Sequence, residues 1–247
     1  MSRSAAVALA VIAIVAGLAG ALVGTPWSNK KAGTPTGNAV VTTSPLQDPT
    51  LSIVATGIPK SVVVYDAPDG PTKTTLSNPN ENGAPLTFLE EEQRPGWVRV
   101  LLPIRPNGSE GWVKTRDVRL TSHNYKIKVE LGAHRLIVTD HDKVLLDTPA
   151  GIGKADTPTP GGLYYTKELL QPPNPNTVYG HYAYGLSGFS NVLTTFAGGD
   201  GVIGIHGTND PAGLGKDVSH GCIRVSNDAI DLMAKTLPLG VPVEIVA

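Results

Sequence analysis

The single cysteine of the chain, Cys222, lies in a run that also holds two histidines and several glycines: IHGTNDPAGLGKDVSHGCIRV, residues 205–225. A thiol becomes a nucleophile near neutral pH only when a base or a positive neighbour helps it lose its proton. Two histidines are close enough in sequence to serve. His206 ends the apolar run GVIGI, and His220 sits two residues before Cys222. Twelve residues separate His206 from Ser219, and Gly207, Gly213 and Gly215 lie among them. A loop of that length can bring its two ends together. Gly221 lets the backbone turn tightly before the cysteine. It would also let main-chain N–H groups face a developing oxyanion. Arg224 could hold a substrate carboxylate. His206, His220 and Cys222 could alternatively supply three zinc ligands. No glutamate of the metalloprotease kind accompanies them, and a nucleophile, a base and an oxyanion side are already present. No metal and no cofactor are expected.

Strands must hold this set in place. Runs rich in β-formers recur after residue 121: YKIKVEL (125–131), HRLIVTD (134–140), KVLLDTPAG (143–151), GLYYT (162–166), GVIGIHG (201–207) and VPVEIV (241–246). One helix follows the cysteine. Ser226, Asn227 and Asp228 can cap it, Ile230, Met233, Ala234 and Leu237 share one face, and Pro238 and Gly240 end it. The segment 171–190 is rich in Pro, Gly and Tyr and reads either as an irregular binding loop, with Tyr179, Tyr182, Tyr184 and Phe189 able to line a groove, or as a packed surface loop. His123, His134, His141 and His181 read as surface residues.

Residues 51–120 form an earlier β unit, with LSIVA, SVVVY, PLTFL, WVRVLL and GWVKT separated by DAPDGP, NPNENG and PIRPNG. The Gly-Trp-Val pairs at 96–98 and 111–113 resemble strand endings of bacterial SH3-like domains. Such a unit is either a spacer or a binder of wall peptide or glycan. Residues 25–50 are rich in Pro, Thr, Gly and Ser and read as a linker. Ala5–Gly24 is apolar throughout and long enough to span a bilayer core. Residues 1–24 are therefore expected to be a signal anchor, or a signal peptide cleaved near Ala19-Gly20-Ala21. Export follows from either reading. A net charge of −1 with no basic stripe gives no argument for nucleic acid. A single cysteine excludes an intrachain disulfide. A monomer is expected.

The pattern HGTN…G…SHGCIR, with TPTPGGLYY at 157–165, resembles the signature of the L,D-transpeptidase (YkuD-type) catalytic domain over residues 124–246. The resemblance implies a mostly β fold: a small SH3-like barrel, then a β-sandwich catalytic domain (122–247) with one helix near the active site. It implies that Cys222 attacks the carbonyl of an L-configured centre in a peptidoglycan stem peptide. His206 would take the thiol proton, with its ring oriented by the Gly207 carbonyl. His220, Gly221 and Cys222 would build the oxyanion side. Ser219 and Arg224 would support or contact substrate, and Thr208 and Asn209 would fix the loop beside it. The implied products are 3→3 cross-links, and carbapenems are implied inhibitors. The same acyl-enzyme could instead pass to water, to a protein amine or to a free D-amino acid. A wall-binding protein without catalysis is the rival of another class.

Overall fold

The structure is a computed structural model that describes residues 28–29, 50–195 and 199–247. The apolar run at 5–24 and most of the linker at 25–50 lie outside the described residues. Within that linker, Ser28–Asn29 (β1) pairs with the edge of a later strand.

Two sheets account for the rest. The first has seven strands: β2 (Ser52–Gly57), β3 (Ser61–Tyr65), β4 (Thr72–Ser77), β5 (Thr87–Arg94), β6 (Trp97–Leu101), β7 (Glu110–Lys114) and β8 (Val118–His123), in the order β4-β3-β7-β6-β5-β2-β8. Alternation along these strands buries Val62, Val64, Phe88, Val98, Val100 and Val113 on one side. The sequence reading missed β4 (TKTTLS) and β8 (VRLTSH), which carry few apolar residues and are largely or partly exposed.

The second sheet contains β9 (Tyr125–Glu130), β10 (Arg135–Asp140), β11 (Lys143–Pro149), β13 (Gly162–Gln171), β14 (Ala183–Phe189), β15 (Val202–His206), β17 (Ile223–Arg224) and β18 (Pro242–Val246). Their order is β11-β10-β9-β18-β13-β14-β15-β17, with β1 on β13. A short parallel pair, β12 (Ile152–Gly153) and β16 (Asp217–Ser219), stands beside it. The only α-helix among the described residues, α1 (Asn227–Thr236), is capped by Ser226, whose hydroxyl accepts from the Ala229 N–H. Ala229, Ile230, Met233 and Ala234 face the sheet, and Leu237 is buried just beyond the last turn. The fold is thus mostly β with a single helix.

Segment 171–190 departs from expectation. Its second half is a strand in the middle of the sheet, paired with β13 on one side and β15 on the other. Its glycines obscure the pattern, yet they are there because neighbours approach closely. A Cβ at Gly188 would lie 2.3 Å from Cδ1 of Tyr164, and one at Gly185 would lie 2.4 Å from Oε1 of Glu168.

The two sheets touch through side chains. Leu89 and Leu101 of the first enclose Tyr165 of the second. Glu168, buried, accepts from Asn80 at 2.8 Å and from Asn82 at 3.0 Å. His123, read as a surface residue, is instead buried next to Tyr125, because the chain passes directly from β8 into β9 there. Gly188→Ala is expected to lower unfolding free energy by about 1–3 kcal/mol, since the Tyr164 ring must shift within a packed core. Urea denaturation of the two proteins measures it.

Candidate active site

Strand parity builds the site. In β15, Ile203 and Ile205 point into the core beneath α1. Ile223 and Val225 join the same core. The pairing of β15 with β17 is parallel, with Ile205 opposite Ile223 and His206 opposite Arg224. Side chains alternate across a strand, so Gly204, His206, Cys222 and Arg224 fall on the other face. There they line the cavities: Gly204, His206 and Cys222 the floor of a groove of about 470 Å³, and His206, Cys222 and Arg224 the wall of a recess of about 60 Å³. Gly204 leaves the space over the sheet open, and a Cβ on it would meet the Tyr184 carbonyl oxygen at 2.7 Å.

His206 is 4% exposed, and its Nδ1 lies 2.6 Å from the Gly207 carbonyl oxygen. A carbonyl only accepts, so Nδ1 carries the proton and Nε2 holds the lone pair. The Tyr179 ring lies against the imidazole at 5.1 Å. Burial pushes the His206 pKa down to about 4; the Gly207 and Val178 carbonyls oppose this, and the Arg224 charge adds to it. Burial raises the Cys222 thiol pKa, opposed by a Gly204 backbone bond and by Arg224. Both shifts favour the uncharged forms, a neutral imidazole and a protonated thiol.

The turn into Cys222 is tied by Ser219. Its hydroxyl donates to the Cys222 carbonyl oxygen at 2.5 Å and accepts from the Gly221 N–H at 3.1 Å. Ser219 is buried and acts as a brace. Gly221 takes φ +116°, which favours glycine. Thr157 donates to the Ser219 carbonyl at 3.3 Å, and Thr159 accepts from the Gly153 N–H at 2.9 Å, so the TPTP segment backs the turn. His220 is exposed on the rim of the recess. Arg224 lines that recess with its Nε buried and without a hydrogen-bond partner among the described residues.

Several sequence expectations need correction. The Gly221 N–H is taken by Ser219, so it does not face the recess as an oxyanion donor. Tyr184 pairs with Ile205 and so lies on the core face, with its hydroxyl donating to the Met233 and Leu237 carbonyls at 3.1 and 3.3 Å. Tyr182 has the same parity and packs against the same core. Tyr184 borders the groove, but its ring is buried on the core side; Tyr179 is the tyrosine whose ring meets His206. Thr208 is buried, and its hydroxyl accepts from the Asp210 N–H at 3.0 Å. Asn209 donates to the Asn176 carbonyl at 3.2 Å. Both brace the loop, as the resemblance implied, and as substrate-binding candidates they line neither cavity. Asn227, read only as a helix cap, has a second task. Its Oδ1 accepts from the Thr208 N–H at 3.1 Å and would lie 2.3 Å from a Cβ at Gly207. It thereby fixes the peptide whose carbonyl orients His206.

Residues 124–245 match the family model of the YkuD-type L,D-transpeptidase catalytic domain. The second sheet with its helix is the part of the chain that matches this catalytic-domain family. A Bacillus subtilis relative described as an L,D-transpeptidase, YkuD, is 36% identical over 121 residues, covering 49% of this chain and 65% of its own. An Escherichia coli relative described as an L,D-transpeptidase, ErfK/SrfK, is 31% identical over 199 residues, covering 70% of this chain and 62% of its own. The chain thus spans just under two thirds of the length of these relatives. A solved L,D-transpeptidase from Mycobacterium smegmatis superposes with a TM-score of 0.41 at 16% identity, over 65% of this chain and 90% of that one.

The two buried histidines set an acid limit on stability. Burial also lowers the His123 pKa to about 4, opposed by the Gly240 carbonyl and Asp140. In the unfolded chain each histidine binds a proton near pH 6.5, whereas folded His123 and His206 wait until about pH 4. Their contribution is complete above pH 6.5 and is lost as pH falls toward 4, by up to ~1.4 kcal/mol per pH unit for each group. Melting at pH 5 is expected well below that at pH 7, and His123→Gln removes about half of the difference if the linkage is correctly assigned.

Proposed function

We propose that the chain is an exported L,D-transpeptidase that forms 3→3 peptidoglycan cross-links through a Cys222 acyl-enzyme. The observation that carries this reading is the shared sheet face of His206 and Cys222, with Nδ1 of His206 bonded to the Gly207 carbonyl. In the first half-reaction Cys222 Sγ attacks the donor carbonyl as His206 Nε2 takes the thiol proton. The bond to the terminal D-amino acid breaks, and His206 returns the proton to the leaving amine. In the second half-reaction the side-chain amine of a neighbouring stem attacks the thioester and gives a proton to His206, the C–S bond breaks, and His206 passes that proton to the departing Cys222 sulfur. No external energy source is needed, since one amide is exchanged for another. The main-chain N–H of Cys222, which makes no hydrogen bond among the described residues, suits the developing oxyanion. Arg224, with its buried unpaired Nε, suits a substrate carboxylate.

The transpeptidase is favoured over the carboxypeptidase by the two recesses that meet at Cys222, since donor and acceptor must both reach the sulfur. A carbapenem would acylate the same thiol. Residues 1–24 would tether the enzyme to the membrane with the catalytic domain facing the wall, and residues 51–120 would act as an SH3-like unit. Mass spectrometry of the purified chain incubated with a disaccharide-tetrapeptide tests the reading, with Cys222→Ala and His206→Ala run in parallel. A cross-linked dimer with loss of one terminal D-amino acid is expected, absent in Cys222→Ala and reduced at least about 100-fold in His206→Ala. Tripeptide alone would assign a carboxypeptidase, and wall binding that survives Cys222→Ala with no turnover in the unaltered chain would assign a binding protein.

A further inference from the structure

The loop between β6 and β7, residues 102–109, belongs to the first sheet but ends against the catalytic recess. It is stiffened from within: the Leu102 N–H donates to the Ser109 carbonyl at 2.8 Å, and the Ser109 hydroxyl donates to the Pro106 carbonyl at 2.7 Å. Two of its side chains reach the segment that joins β14 to β15. Arg105 donates through Nη1 to the Ser190 carbonyl at 2.9 Å and through Nη2 to the Asp200 and Leu193 carbonyls at 2.9 and 3.2 Å. Its guanidinium lies 4.8 Å over the Phe189 ring. Asn107 exchanges a pair of bonds with the Phe189 backbone, both at 2.8 Å, and adds one to Asn191 Oδ1 at 3.3 Å.

Three main-chain carbonyls from both ends of one loop thus converge on one guanidinium. A planar guanidinium offers these acceptors donors on two separate nitrogens in a fixed fork, whereas an ammonium presents its three donors from a single point. The loop they belong to is a wall of the site: Ser190, Leu193, Gly201 and Val202 line the recess with His206 and Cys222. Its base is closed by the Ser190 N–H donating to the Gly201 carbonyl at 2.8 Å. Gly201 takes φ +69°, and a Cβ there would meet the Leu193 carbonyl oxygen at 2.1 Å. At Ser190, Leu193 and Gly201 the backbone is closely packed around a donor lent by the other sheet.

We propose that Arg105 and Asn107 are positioning residues for the catalytic recess, so that the first sheet sets the shape of the substrate site rather than only spacing it from the membrane. Arg105 acts through the wall formed by Ser190, Leu193, Gly201 and Val202 and touches none of the reacting groups. Its removal leaves the thiol and its base in place and loosens the surface that holds substrate. The kinetic consequence rests on the acyl-transfer reading above; the structural consequence does not.

The experiment compares the full chain with Arg105→Ala, Arg105→Lys and Asn107→Ala. Hydrogen exchange is followed over residues 190–195 and 199–203. In Arg105→Ala, exchange there is expected to rise on the order of tenfold, with the strands of both sheets unchanged. With a tetrapeptide donor, KM is expected to rise on the order of tenfold while kcat stays within about threefold. Arg105→Lys is expected to recover only part of either effect, and alkylation of Cys222 by iodoacetamide to stay within about twofold of the unaltered chain. Unchanged exchange in the wall overturns the proposal. So does exchange that rises evenly over both sheets, which would mark an ordinary interface residue. If the unaltered chain does not turn over tetrapeptide, the acyl-transfer reading fails, and the exchange measurement still decides the role of Arg105.

Discussion

The parallel pairing of β15 with β17 is the constraint on which the rest of the site depends. Setting Ile205 opposite Ile223 sends four apolar side chains under α1 and leaves Gly204, His206, Cys222 and Arg224 on the opposite face. A slip of one residue in either strand would turn its reactive group into the core. The burial of Ile203, Ile205, Ile223 and Val225 therefore fixes the geometry of the chemistry, and the stability of the fold and the placement of the nucleophile are one problem. Helix α1 serves both: its apolar face seals the core side, and its first residue, Asn227, holds the peptide that orients His206.

Burial also sets the electrostatics. The surroundings of buried His206 and half-buried Cys222 disfavour charge on both, lowering one pKa and raising the other. An imidazole that stays neutral through the physiological range is always available to accept a proton. In the proposed reaction the thiol would stay protonated until a substrate approaches, and proton transfer and carbonyl attack would belong to the same event. Arg224 opposes the loss of reactivity by favouring the thiolate, and its unpaired Nε leaves capacity for an anion.

Much of this was legible in the residues. The single cysteine, the histidine ending an apolar strand and the glycine before the nucleophile carry their chemistry in type and spacing. The helix was legible because its cap and its apolar face are local signals. What could not be read was pairing. The face chosen by Tyr182 and Tyr184 follows from the register with β15, which no local pattern encodes. The strand β14 was hidden by Gly185 and Gly188, whose presence reflects Glu168 and Tyr164 on the adjacent strand. The use of the Gly221 N–H by Ser219, and the reach of Arg105 across to the site loop, depend on contacts between segments distant in space or closely folded upon themselves. His123 looked like a surface residue for the same reason: nothing nearby in sequence marks the junction of two sheets.

Nitrogen-15 NMR of the two His206 ring nitrogens across pH 3 to 9 tests the central claim most directly. A ring protonated on Nδ1 alone from about pH 6 upward, gaining its second proton only near pH 4, is the result expected from its burial and its bond to Gly207. An imidazolium at pH 7, paired with a Cys222 thiolate, would contradict the account of a neutral base and a protonated nucleophile held together by the sheet.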